Sequence, residues 1–495
     1  MSLTLILSVF VVYTVLLFAI SWYTSRKADN SSYFQGNKKS PWFVVAYGMV
    51  GTSISGVTMI SVPGNVTNQA FYYMPMVLGF VVGYAIIALV LLPLYYRMNL
   101  TSIYTYLESR FGFYTYKAGA SFFVLSRVLG AAVRIYLVVF VLHGFLPHGT
   151  VPFWVVAFVF MLLIFLYTLK GGVKTIIWTD MLQTTFMILA VIVAVIVIAQ
   201  QMGWNFGEMV SAVTASNYSS WFDMNWDNNT HFVKQFVSGI FVTIVMTGLD
   251  QEMMQKNLSC KTLKDSQKNI FTTSITIVIV NLLFLTLGAV LALYVQKHGG
   301  MAAMGIPAVD KIFPTIAENY LGLVCGVIFL IGLVSASYPS AGGALTSLTT
   351  SFCVDFIGFN RRTDLSDEKK LKIRYTTHAV YTFIFFLLIL LFYVINNKAV
   401  IDLVYQLAAY TYGPLLGFFF FGILTKYQVR DRWMPIVAVA SPLFCLVLDW
   451  VAKSIFHFGF GFTLLIFNGL FTFVAMWLLR KASPSPSQGG ERNLN

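Results

Sequence analysis

Two stretches of this sequence place oxygen-bearing and helix-breaking residues inside runs that are otherwise apolar. The first sets Gly48, Gly51, Thr52, Ser53, Ser55, Gly56, Thr58, Ser61, Pro63 and Gly64 close together. The second carries Ser335, Ala336, Ser337, Pro339, Ser340, Ala341, Gly342, Gly343, Thr346, Ser347, Thr349 and Thr350. A proline in a helix lacks an N–H and frees the carbonyl one turn earlier, here that of Ser335. Such carbonyls, with hydroxyls, are neutral oxygen ligands that suit a hard cation such as Na+ or a polar solute. The competing reading is close helix packing through small residues. The surplus of Ser and Thr over what packing needs favours binding.

Ionisable residues inside apolar runs are the next candidates. Asp180 follows Trp178 and Thr179 early in a long apolar stretch; an intramembrane carboxylate is a functional candidate by default, the alternative being a structural partner for an Arg or a helix end. Arg127 and Arg134 lie seven residues apart on one helix face. They would bind an anionic solute or neutralise a carboxylate, and Arg127 leans to the structural role. Asp250 and Gln251, just before Lys256, read as a solvated helix end. No Walker-type phosphate loop, His-x-x-x-His pair or nucleophile elbow accompanies them. The four cysteines have no metal-ligand or disulfide spacing. An enzyme and a transition-metal site are therefore not expected.

The elements that must position these groups follow from composition. Of 495 residues, 58% are hydrophobic and only 10% charged, against about 25% charged in a soluble domain. That excludes a water-soluble body and predicts an all-α integral membrane protein. Thirteen segments are long and apolar enough to cross a bilayer: 4–23, 42–67, 74–96, 119–146, 151–169, 175–202, 233–254, 269–295, 319–353, 375–396, 399–425, 432–452 and 458–479. The net charge of +13 would suit a polyanion partner, but its distribution argues otherwise. Loops after odd-numbered spans and the C-terminal tail, with Arg432 at the very start of the twelfth segment, hold 25 of the 32 Lys and Arg residues, and loops after even-numbered spans hold four. The positive-inside rule then puts the N-terminus outside and the C-terminus in the cytoplasm of a cell with a cytoplasmic (inner) membrane. No nucleic-acid role is expected. Segment 204–230 would form a short outer helix or lid, and 483–495, rich in Ser, Pro and Gly, a disordered tail.

At these residues the chain resembles a known family. Gly171-Gly172, followed by Ile177-Trp178-Thr179-Asp180 and Gln183, resembles the GG-x4-VWTD-x-x-Q signature of the sodium:solute symporters, the family of sodium-coupled glucose, proline and sialic acid transporters. Asp250-Gln251 with Gln255 resembles its DQ-x-x-x-Q motif, and Leu345-Thr346-Ser347 leading to Asp355 resembles the end of its sodium-site helix. The order of spans agrees along nearly the whole chain.

The resemblance implies a LeuT-type fold of two inverted five-helix repeats. A lead helix and loop would occupy 1–40, the repeats 41–202 and 233–425, an outer loop 203–232, and two trailing helices 426–482. The second and seventh spans would be discontinuous. Sodium, the coupling ion, would take carbonyls of Gly51, Ile54 and Ala336 and the hydroxyl of Ser340, with Asp180 supporting this or a second site. Ser340 matches the second of the family's two hydroxyls, and Pro339 stands where it has the first, a departure that Ser337 or water would offset and that keeps a sensor, receptor or uncoupled carrier open as the alternative. The implied function is import of a small polar organic solute (sugar, sugar acid, amino acid or carboxylate) by alternating access. Ser55, Thr58, Ser61, Arg134, Thr243 and Gln406 would face it. The substrate arginine of the sialic acid branch falls at Gly130, one turn from Arg134, which leaves an acidic solute open. No organic cofactor is implied.

Overall fold

The computed structural model describes residues 3–26, 30–146, 151–395 and 400–481. The tail 483–495 lies outside them. Among the described residues no strand forms; the only β pairing is three isolated bridges. The principal helices are α1 (Leu3–Ser25), α2 (Trp42–Ser53), α3 (Gly56–Gln69), α4 (Met74–Ile86), α5 (Phe113–Gly144), α6 (Phe153–Thr168), α7 (Gly172–Met202), α8 (Phe232–Thr243), α9 (Gln251–Asn257), α10 (Leu263–Lys297), α11 (Gly322–Ser351), α12 (Asp367–Ile395), α13 (Val400–Leu424), α14 (Met434–Phe456) and α15 (Leu464–Leu478). Wider π-type turns extend α4, α8 and α11.

Nine described helices are long and apolar enough to span a bilayer. Two further spans are bent pairs, α2 with α3 at 56° and α8 with α9 at 70°. The fifth and eleventh expected segments coincide with shorter apolar helices, Phe153–Thr168 and Ala409–Leu424. The second and seventh segments are therefore broken where discontinuity was expected. Asp250 makes the second break. It leaves the helix at φ −103° and ψ 124°, and its side chain accepts the Glu252 and Met253 amides at the start of α9, the N-cap chemistry of Asp.

Large apolar side chains face outward, and a mainly apolar core encloses the charged and polar groups, the placement expected of ionisable residues inside a membrane. Leu443, Ile279, Phe383 and Val439 are exposed, while Asp180, Asp250, Glu252, Lys256 and Arg127 are buried. This corrects the reading of Asp250 and Gln251 as a solvated end: both are fully buried. Lys256, counted above among loop charges, is buried too. All four cysteines are free and buried.

Helix α7 lies along α11, and α2 packs on α7. Glycine makes the second contact possible. A Cβ on Gly51 would stand 2.1 Å from Oγ1 of Thr184, and one on Gly48 3.2 Å from Cβ of Asp180. Between α7 and α8 the chain forms a short helix, Phe206–Ala215, begun by a capping box of Asn205 and Glu208. Asp223 follows it and accepts hydrogen bonds from Thr230, Asn228 and the Asn225 amide. Burial pushes its carboxyl up, but these bonds together hold it below the usual carboxylate range.

Candidate functional site

The break between α2 and α3 is the centre of the site. Ile54 has φ −98° and ψ 89° and Ser55 is extended, so the helix stops at Ser53 and restarts at Gly56. The last carbonyls of a helix have no following amide. The Ile54 amide returns to the Val50 carbonyl at 2.8 Å, which leaves the Gly51 carbonyl among those without a helical donor. Val-Gly-Thr-Ser-Ile-Ser-Gly folds this way because Ser and Gly compete weakly for helix, and because Gly51 and Gly56 approach Thr184 and Val138 too closely for a side chain.

Helix α11 packs on both halves of the broken span. It continues through Pro339 without a break. Ala336 and Ser340 are buried on it, and the Ser340 hydroxyl has no hydrogen-bond partner among the described residues. A buried hydroxyl is normally satisfied; an orphan one on a helix that packs against the break fits a small hard cation, whose ligands are oxygens. Ser337 instead donates back to the Leu333 carbonyl at 3.0 Å.

A cavity of about 100 Å³ opens on the same break. Ser55, Thr58, Arg134 and Thr243 line it, together with Tyr84, Thr247, Asn281 and Arg127. Of the residues expected to face a solute, Ser61 is buried but stands outside this lining. The side chain of Gln406 lies outside the described residues. Tyr84, Thr247 and Asn281 were not anticipated; their only sequence signal is a polar group in an apolar run.

Behind the cavity runs a buried chain of charges. The Lys256 ammonium donates to Asp180 Oδ2 at 2.7 Å, to Thr52 Oγ1 at 2.7 Å and to Glu252 Oε1 at 3.3 Å. Thr52 also donates to Asp180 Oδ2, at 3.0 Å. Arg127 pairs with Glu252 and, at 3.5 Å, with Asp250; Tyr412 donates to Asp250 at 2.7 Å. Glu252 fits because residue 343 is glycine, whose Cβ would lie 2.1 Å from Oε1. These contacts tie α2, α5, α7, α9 and α13 together, with α11 leaving the space for Glu252. Asp180 thus has one oxygen committed to Lys256 and Thr52, while its Oδ1 has no hydrogen-bond partner among the described residues.

The profile of the sodium:solute symporter family matches residues 33–430. The chain belongs to this family. It is a multi-pass membrane transporter coupled to sodium and not an enzyme. It is 22% identical to the sodium/sialic acid symporter SiaT of Proteus mirabilis, over 82% of this chain and 81% of that one. It is 23% identical to the sodium/sialic acid symporter NanT of Aliivibrio fischeri, over 82% and 80% of the two chains. Its fold matches that of a Na+-coupled sialic acid symporter solved in a substrate-bound, outward-open state, with a TM-score of 0.81 and 19% identity over 96% of this chain and 97% of that one.

Proposed function

We propose that this family member imports a small, hydroxylated organic acid together with sodium by alternating access. The observation that carries the reading is the cavity at the α2–α3 break, where the hydroxyls of Ser55, Thr58 and Thr243 share one wall system with Arg134. Hydroxyls suit a sugar-like body and a guanidinium suits a carboxylate, to which it can donate two parallel hydrogen bonds. The sialic acid symporters among its relatives are consistent with a sugar acid, and a sugar, amino acid or simpler carboxylate are the competing outcomes.

Sodium is placed between α2 and α11, on the carbonyls of Gly51, Ile54 and Ala336 and the orphan hydroxyl of Ser340. Asp180 supports the site from behind by holding Thr52, the neighbour of Gly51. Bridging the two helices with a cation favours the arrangement in which they are packed together, and solute binding at the same break then permits the rocking that opens the other face. The scaffold in this reading is the LeuT-type pair of inverted repeats, 41–202 and 233–425, with the N-terminus outside and the C-terminus in the cytoplasm.

A thermal-stability screen of the purified chain tests the solute class. A ligand that binds only the native state raises apparent stability, by about 2.7 kcal/mol at a hundred times its Kd. N-acetylneuraminic acid, a hexose, a neutral amino acid and a short monocarboxylate are compared in sodium and in potassium. An acid that raises Tm in sodium alone supports the reading. A hexose that does so while both acids do nothing contradicts it.

A further inference from the structure

We propose that Lys256 is a built-in cation that occupies the pocket between Asp180 and Glu252, offsetting Asp180 while Arg127 offsets Glu252, so that the chain binds a single sodium ion per cycle. The inference rests on the sodium site placed above between α2 and α11. It adds that Asp180 is not a second ion's ligand while Lys256 is present.

The geometry of the ammonium carries the argument. An ammonium has three N–H donors, and here three oxygens from three different helices surround it: Thr52 of α2, Asp180 of α7 and Glu252 of α9. Lys256 is buried, as are Thr52, Asp180 and Glu252. Two carboxylates and a hydroxyl converging on one buried point form a cage for a small monovalent cation. A buried carboxylate without a cation is costly, and breaking such a pair leaves an uncompensated charge. The protein meets that need with its own side chain. Lys256 reaches the cage because the break at Asp250 starts α9 afresh, which puts Glu252 and Lys256 one turn apart on the same face. Gly343 leaves the space that Glu252 fills. The orphan Oδ1 of Asp180 is a further oxygen that an ion could use if the ammonium were removed.

Sodium competes with Lys256 for this cage and loses, because the tethered ammonium is present at every turn of the cycle without a binding equilibrium. The second ion position is therefore filled permanently. Removing the charge while keeping an unbranched side chain should vacate it.

Equilibrium binding of radioactive sodium to the purified full chain, with Tm followed against sodium concentration, tests this. The wild type should bind about one sodium per chain, Lys256→Met about two with a steeper sodium dependence of Tm, and Lys256→Arg about one. A wild type that binds two, or a folded Lys256→Met chain that still binds one with unchanged affinity, overturns the proposal. A wild type that binds none overturns the sodium site itself, which is a different result. Should Lys256→Met fail to fold, the wild-type and Lys256→Arg stoichiometries still decide, since two ions in either contradicts it.

Discussion

Ser340 and Arg134 carry separable parts of the chemistry. Removing one neutral oxygen from a cation costs about as much as a hydrogen bond to a charged group, about 1.5–3 kcal/mol. Ser340→Ala should therefore raise the half-saturating sodium concentration by about tenfold to a hundredfold, read as sodium-dependent Tm or uptake, with solute affinity at saturating sodium little changed. An unchanged sodium dependence would move the ion away from α11. Arg134→Ala should do the reverse, weakening the solute and sparing the sodium response; equal loss of both would make Arg134 structural. The charge chain makes a different demand. Arg127→Met leaves Glu252 and Asp250 without their guanidinium, so we expect a loss of about 3–5 kcal/mol, seen as a lower Tm. Adding Glu252→Gln should restore part of it, and a double variant no better than the single would show that Arg127 acts through packing alone.

At the scale of elements, the two broken spans divide sharply in how far the sequence revealed them. Gly-Thr-Ser-Ile-Ser-Gly announces an interruption because it carries more hydroxyls than close packing through small residues needs. The Asp-Gln pair at 250–251 reads from sequence as the watery end of a helix, since polar residues shortly before Lys256 are what a solvated end contains. Only the fold brings Arg127 and Tyr412 to Asp250 and Asp180 to Lys256, and no local pattern records partners 76 to 162 residues away. Pro339 also behaved less disruptively than its type suggests, with α11 continuous through it. Packing between elements gives its own test. Gly51→Ala places a methyl group 2.1 Å from Thr184 Oγ1 and should drive α2 off α7, lowering Tm and abolishing uptake. Thr184→Ala in the same chain should recover part of the Tm, and no recovery would locate the strain elsewhere. Outside the spans, the depressed carboxyl of Asp223 gives a pH dependence of definite sign. A group whose folded pKa lies below its unfolded value contributes stability above the unfolded value, about pH 4 for Asp, and loses it as pH falls through the folded one. The 217–231 segment should become protease-sensitive on acidification below that range, and Asp223→Asn should remove this acid step while leaving the segment looser at neutral pH.

For the whole molecule, low charge content and the segregation of Lys and Arg between alternate loops were enough to read a polytopic membrane protein. They were not enough to distinguish a surface lysine from one buried at the centre, because Lys256 contributes to the loop tally like any other. The orientation they imply is open to a direct check: alkaline phosphatase fused at the C-terminus should be inactive and a fluorescent protein fused there bright, with the opposite pair reversing the topology. The central claim, transport of an organic acid driven by sodium, is tested most directly by uptake into proteoliposomes containing the purified chain. With radiolabelled N-acetylneuraminic acid or a short monocarboxylate outside, an inward sodium gradient should drive accumulation above the external concentration, and potassium in its place should leave only slow equilibration. Accumulation of neither acid, or uptake at the same rate and extent without the sodium gradient, would contradict the account.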